Sequence, residues 1–160
     1  LIRCELTVKR DDGVSPATFT SAGRERTNAM TDIEVSSVCE EGYTVESVID
    51  GEWELVVDAL SNDGPSANQV LAADYASCYI PAFRVAAQKN GYDDIGTVEI
   101  SVEADLDEDD DLEAMRWHIE VEADLGDDEQ EIVELGEEIC HVHAALREGL
   151  HAEITIESGV

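Results

Sequence analysis

The sequence predicts an α+β fold in which antiparallel sheets pack around two long helices. Three observations carry this. Short strand-like runs precede a long apolar helix and period-two alternation follows it, that helix has its own start and stop signals, and a second amphipathic stripe comes late in the chain. Strands and helices come in runs rather than in strict alternation, which is the α+β pattern. At 160 residues and 43 % hydrophobic composition, one core is enough to account for the chain.

The elements follow in order. Ile33 to Val38, Gly42 to Val48 and Glu52 to Asp58 have the composition of short strands. Asn62-Asp-Gly-Pro65 is turn chemistry that ends the third strand. Ser66 with Gln69 three residues on is a capping box, so a helix should begin there, run to about Asn90 and stop at Gly91. Thr97 to Asp105 and Met115 to Asp124 alternate strictly and should pair as a hairpin, with Asp107-Glu-Asp-Asp-Asp111 as a solvated loop between them. That loop lacks the glycine and the terminal glutamate of a calcium-binding hand. Asp127-Asp-Glu129 places negative charge where a helix dipole favours it. Ile132, Leu135, Ile139, Val142 and Leu146 then form one apolar stripe, predicting a second helix that stops near Gly149. Leu150 to Glu157 closes as a strand.

The formal charge of −30, from 39 acids and 9 bases, excludes whole classes of partner. Such a field repels nucleic acid and anionic membrane surfaces. Hydrophobic periodicity persists throughout, so the charge indicates a folded surface adapted to high salt rather than disorder. At about 1 M ionic strength the screening length is roughly 3 Å, which mutes repulsion among surface carboxylates. An extreme halophile, an archaeon, is the expected source. No apolar run is long enough to span a membrane and no secretory signal is evident, so a cytoplasmic location is expected.

The charge is unevenly spread. Residues 1–29 hold five bases and four acids, whereas residues 30–160 hold four bases and thirty-five acids. The shift falls at Met30, and residues 1–29 are expected to be a non-native or flexible N-terminal extension preceding a single domain over residues 30–160.

Four cysteines, Cys4, Cys39, Cys78 and Cys140, are too few and too irregular for a secreted disulfide scaffold. Cys78 sits midway along the apolar helix, and Pro81 just beyond it cannot donate to the Ser77 carbonyl, so a loosened turn is expected beside the thiol. A buried cysteine can equally act as a small hydrophobe. Cys140 and His143 have the spacing of a metal-ligand pair on a helix, with Cys78 as a third ligand, but no fourth ligand is placed, and no metal or other cofactor is expected. Cys39 reads as a turn residue, Asp74 as part of a solvent-facing stripe, and Trp53 and Trp117 as core or sheet-packing residues.

The stretch Gly64-Pro-Ser-Ala-Asn-Gln-Val-Leu-Ala-Ala-Asp-Tyr-Ala-Ser-Cys78 resembles the Gly-x-Asn-Pro-Glu-x-Leu-x-Ala-x-x-x-Ala-x-Cys helix of the OsmC/Ohr family, the osmotically inducible and organic hydroperoxide resistance proteins. Cys140-His-Val-His143 stands where that family carries its second cysteine, commonly in Cys-Pro-Val-Ser. The resemblance extends from Met30 to Ile156. It implies an OsmC-like fold and an intertwined homodimer. It implies too that Cys78 is the peroxidatic thiol and Cys140 the resolving thiol in the reduction of an organic hydroperoxide. A dithiol, lipoyl-type or a small thiol, would regenerate the pair. Asn68, Tyr75, Tyr79 and His143 are the candidate binding residues around it.

Two departures weigh on that reading. The family's peroxidases carry a glutamate four residues after the helix-opening glycine, where this chain has Asn68. They also supply an arginine from the N-terminal strands, whereas no arginine or lysine lies between Met30 and Cys78. Only Arg24 and Arg26 precede it nearby. The alternative is therefore an OsmC-like protein without peroxidase chemistry, binding a small apolar ligand or acting as a redox-responsive partner.

Overall fold

A computed structural model describes residues 31–160. The expectations for residues 1–29, Arg24 and Arg26 included, lie outside the described residues. Three antiparallel strands open the described chain: β1 (Val35–Val38), β2 (Thr44–Ile49) and β3 (Trp53–Asp58), in that order across one sheet. The β2–β3 turn is Asp50-Gly51, both at positive φ, with the Glu52 N–H donating to the Ile49 carbonyl. Those angles suit the right-handed twist of the strands they join.

β3 ends at Asp58, the one buried charged residue among those described. Its carboxylate accepts the N–H groups of Leu60, Asn62 and Asp63 at 2.9–3.1 Å, and these bonds hold its pKa below the ordinary carboxylate value. This knot turns the chain into α1 (Ala67–Lys89), which begins with the Ser66–Gln69 capping box read from the sequence. Asn90 caps its end, and Gly91 follows at a φ of 94°. The helix runs unbroken through Pro81, where the sequence predicts a loosened turn; both Pro81 and Ser77 are exposed.

β4 (Val98–Leu106) and β5 (Leu112–Val121) form the expected hairpin. After it come α2 (Glu129–Ile139), α3 (His141–Ala145) and β6 (Glu153–Ser158). Two differences from the sequence reading have physical causes. β6 pairs with β5 in parallel, because the intervening helices carry the chain back across the sheet before the last strand begins. The second helix is not continuous to Gly149: Cys140 takes extended angles (φ −70°, ψ 116°) and divides it into α2 and α3.

The core lies between α1, α2 and the inner face of the β4–β5–β6 sheet, where Met115, Trp117, Ile119 and Val121 of the central strand are buried. Trp117 is thus a core residue, as expected. Trp53 is not: it is 65 % exposed, because no element of the described chain covers its face of the first sheet. Among the described residues no helix is long and apolar enough to cross a membrane.

Candidate thiol site

α1 buries Tyr75, Tyr79, Ala82, Phe83 and Ala86, one face at helical spacing. Cys78 lies at the edge of that face, half-buried and packed against the core. α2 crosses α1 at Gly136, where a Cβ would stand 3.0 Å from the Tyr79 hydroxyl and 3.4 Å from the Phe83 Cα. This close approach brings the end of α2, and with it Cys140, down onto α1. The Cys140 N–H completes α2 by donating to the Gly136 carbonyl at 3.0 Å. Its sulfur then caps α3, accepting the His143 N–H at 3.4 Å. The chain must leave helical geometry at an N-cap, which is why the single predicted helix divides there.

Cys140 is almost wholly buried, at 1 % exposure, and Cys78 lies next to it. Burial pushes the Cys140 thiol above its ordinary pKa. The His143 and Val142 N–H groups pull the other way, and the adjacent Cys78 raises it further. Cys140 therefore stays protonated at neutral pH. Both cysteines are free thiols, as is the exposed Cys39, whose thiol meets only the carbonyls of Glu41 and Gly42.

Aromatic and imidazole groups close in around the pair. The Tyr75 hydroxyl lies 2.6 Å from His143 Nδ1, and its ring stacks on Trp117 with centroids 4.3 Å apart. Desolvation pushes the Tyr75 phenol up to about 12. His143 in turn stacks on His151 at 3.9 Å, and burial lowers its pKa, with His151 adding to the effect. The Tyr79 hydroxyl is fully buried and donates to the Val133 carbonyl at 3.0 Å, so it ties α1 to α2. Half-buried Glu137 lies near Tyr75 and Tyr79, and its own desolvation holds its carboxyl above the ordinary value.

Of the residues singled out in the sequence, Cys78, Cys140, Tyr75, Tyr79 and His143 thus converge. Asn68 does not join them. Its amide donates to the Asp110 carbonyl at 2.9 Å, at the rim of a separate groove of about 800 Å³ between α1 and β4. That groove is lined by Ala72, Ala76, Ile100, Val102, Leu106 and others, and by neither cysteine. Asp74 is exposed, as read from the sequence. Sequence reasoning missed Glu137 and His151. Glu137 sits one turn before Cys140 and was legible from that spacing; His151 arrives only through the return to β6 and has no local signal.

The described cations are engaged elsewhere or exposed. Arg84 donates to the Gly96 carbonyl, Arg116 pairs with Asp105 and Glu103, Arg147 donates to the Leu112 carbonyl, and Lys89 is exposed. None of the influences on the Cys140 thiol comes from a cation.

The sequence model of the OsmC-like protein family matches residues 60–155, which span α1, both thiols and the first half of β6. A Haloferax volcanii protein, described only as uncharacterized, is 51 % identical over 128 residues, covering 79 % of this chain and 96 % of its own. That relative belongs to a halophilic archaeon, in keeping with the source expected from the acidic composition. Among solved structures, an OsmC-like protein from Mycoplasma pneumoniae superposes with a TM-score of 0.69 at 16 % identity, covering 80 % of this chain and 97 % of that one. The organic hydroperoxide resistance protein OhrB of Bacillus subtilis superposes with a TM-score of 0.60 at 22 % identity, covering 81 % and 100 %. At those identities the two structures bear on the fold alone.

Proposed function

The chain belongs to the OsmC-like family, and from that premise we propose that it reduces organic hydroperoxides through Cys78 and Cys140. The observation that carries the proposal is the pairing of a half-exposed thiol on α1 with a buried, protonated one at the α2–α3 break. The Cys78 thiolate attacks the O–O bond of the hydroperoxide; the alkoxide takes up a proton and leaves as an alcohol, and Cys78 becomes a sulfenic acid. Cys140 then attacks that sulfur. Its thiol proton joins the departing hydroxide to form water, and a Cys78–Cys140 disulfide remains. An external dithiol, lipoyl-type or a small thiol, returns both cysteines to thiols and is itself oxidised to a disulfide. Burial of Cys140 suits the resolving role, because a protonated thiol does not compete for the peroxide.

The functional unit in this proposal is a homodimer. On the open sheet Val35, Ile49 and Trp53 are aligned across β1, β2 and β3 on one face, with Val35 54 % and Trp53 65 % exposed. A second copy that covers this row would remove a large apolar patch from water.

One specific observation favours a second reading. The groove beside Asn68 is apolar, has ligand-sized volume and lies apart from the thiols, which suits a protein that binds a small apolar molecule without turning it over. A coupled assay separates the two readings, with cumene hydroperoxide and dihydrolipoamide in about 2–3 M KCl, where carboxylate repulsion is screened. Turnover lost in Cys78→Ser is the expected result. No turnover by the folded native protein would reject the peroxidase reading.

A further inference from the structure

Tyr75 precedes Cys78 by three residues on α1, and His143 follows Cys140 by three on α3. On α1 that spacing puts Tyr75 on the same side as Cys78, one turn away; across the Cys140 cap it is the bond from the His143 N–H to the sulfur that keeps the two together. The two elements are therefore joined twice at one crossing: by the facing thiols, and by the Tyr75–His143 hydrogen bond of 2.6 Å. Burial keeps both groups neutral: Tyr75 from α1 holds its own proton, while His151, stacked on His143 at 3.9 Å from the turn before β6, disfavours a second imidazolium. The His143 backbone N–H meanwhile holds the Cys140 sulfur at 3.4 Å.

We propose that Tyr75 and His143 are positioning residues whose hydrogen bond clamps α3 to α1 and thereby sets the dithiol–disulfide equilibrium of Cys78 and Cys140. A clamp that holds two thiols in reach raises their effective concentration. Linkage makes the effect reciprocal: whatever the clamp adds to the disulfide, the disulfide adds to the clamp. The departures from the family pattern concern the activation of Cys78, whereas the clamp acts on the second thiol. It rests on the reading of Cys78 and Cys140 as an exchanging pair, and does not require hydroperoxide to be the oxidant.

The test is a redox titration of the full chain against dithiothreitol in about 2–3 M KCl. Two thiols close to a disulfide as oxidised dithiothreitol takes up two electrons and two protons, and alkylation followed by mass spectrometry counts the free thiols. Tyr75→Phe and His143→Ala should make the disulfide up to about tenfold easier to reduce, a rise of roughly 30 mV in potential. His143→Asn, whose amide can pair with the Tyr75 hydroxyl near the Nδ1 position, should restore most of the loss. Glu138→Gln on the exposed side of α2 should match the native protein. Near-ultraviolet circular dichroism checks that each variant is folded; should Tyr75→Phe fail to fold, the pair His143→Ala and His143→Asn decides. Equal potentials in native protein, His143→Ala and His143→Asn would overturn the clamp and leave the thiol pair standing. If the native protein forms no Cys78–Cys140 disulfide at any poise, both fall.

Discussion

The two sheets each carry an apolar row and meet opposite fates. In the β4–β5–β6 sheet, Met115, Trp117, Ile119 and Val121 face inward beneath the helices and are buried. In the β1–β2–β3 sheet, the row of Val35, Ile49 and Trp53 is apolar too, but Val35 and Trp53 at its ends stay exposed among the described residues. Alternation tells which residues share a face; it does not tell what covers that face. The first sheet has no amphipathic element left in the described chain to pack against it, because α1 and α2 are spent on the second.

The comparison breaks most sharply at Trp53. Covering a tryptophan removes roughly 150 Å² from water, worth several kcal/mol at about 25 cal/mol per Å². Trp53→Asp should therefore turn the proposed dimer into a monomer, read by sedimentation equilibrium in about 2–3 M KCl. A native protein that is already monomeric would remove the reason offered for the exposed row.

On the covered side, the expected effects fall on folding rather than on assembly. Gly136→Ala forces a Cβ against Tyr79 and the Phe83 backbone. It should destabilise the chain by about 1–3 kcal/mol, measured by denaturant unfolding. Ser66→Ala removes one half of the α1 capping box and should lower stability by about 1 kcal/mol. A Trp53 substitution that destabilised the monomer as much as Gly136→Ala would show that the two sheets do not differ in this way.

The smallest effect is a pH dependence, and its sign follows from His143. Its pKa is lowered in the folded protein, so the unfolded chain binds the proton more readily. Stability is unaffected above the unfolded value near 6.5 and falls as pH drops from there through the folded pKa. Asp58, also lowered, adds loss in the same direction at more acidic pH, beginning near its unfolded value of about 3.8. In His143→Asn the upper part of this loss should disappear from the unfolding midpoint, leaving the acidic part.

Much of this architecture was legible. The capping box at Ser66, the Gly91 stop, the hairpin and the positions of both thiols all rest on local patterns of three to ten residues, and these are where the sequence reading holds. Three features were not legible. The break at Cys140 is set by a sulfur accepting a backbone N–H, and the stripe through Val142 and Leu146 continues across it, so periodicity does not register it. His151 stacks on His143 only because β6 returns parallel to β5. Trp53 alternates like a core residue, yet its cover is not part of the described chain. In each case the missing information is a contact between elements distant in sequence.

The central claim is that Cys78 and Cys140 are one redox unit. The most direct measurement adds one equivalent of cumene hydroperoxide to the fully reduced protein in about 2–3 M KCl and maps the product by peptide mass spectrometry. The expected product has lost two hydrogens and yields a peptide pair joined through Cys78 and Cys140, absent in Cys78→Ser. Both thiols remaining open to alkylation in the folded protein, or oxidation confined to the exposed Cys39, would contradict it.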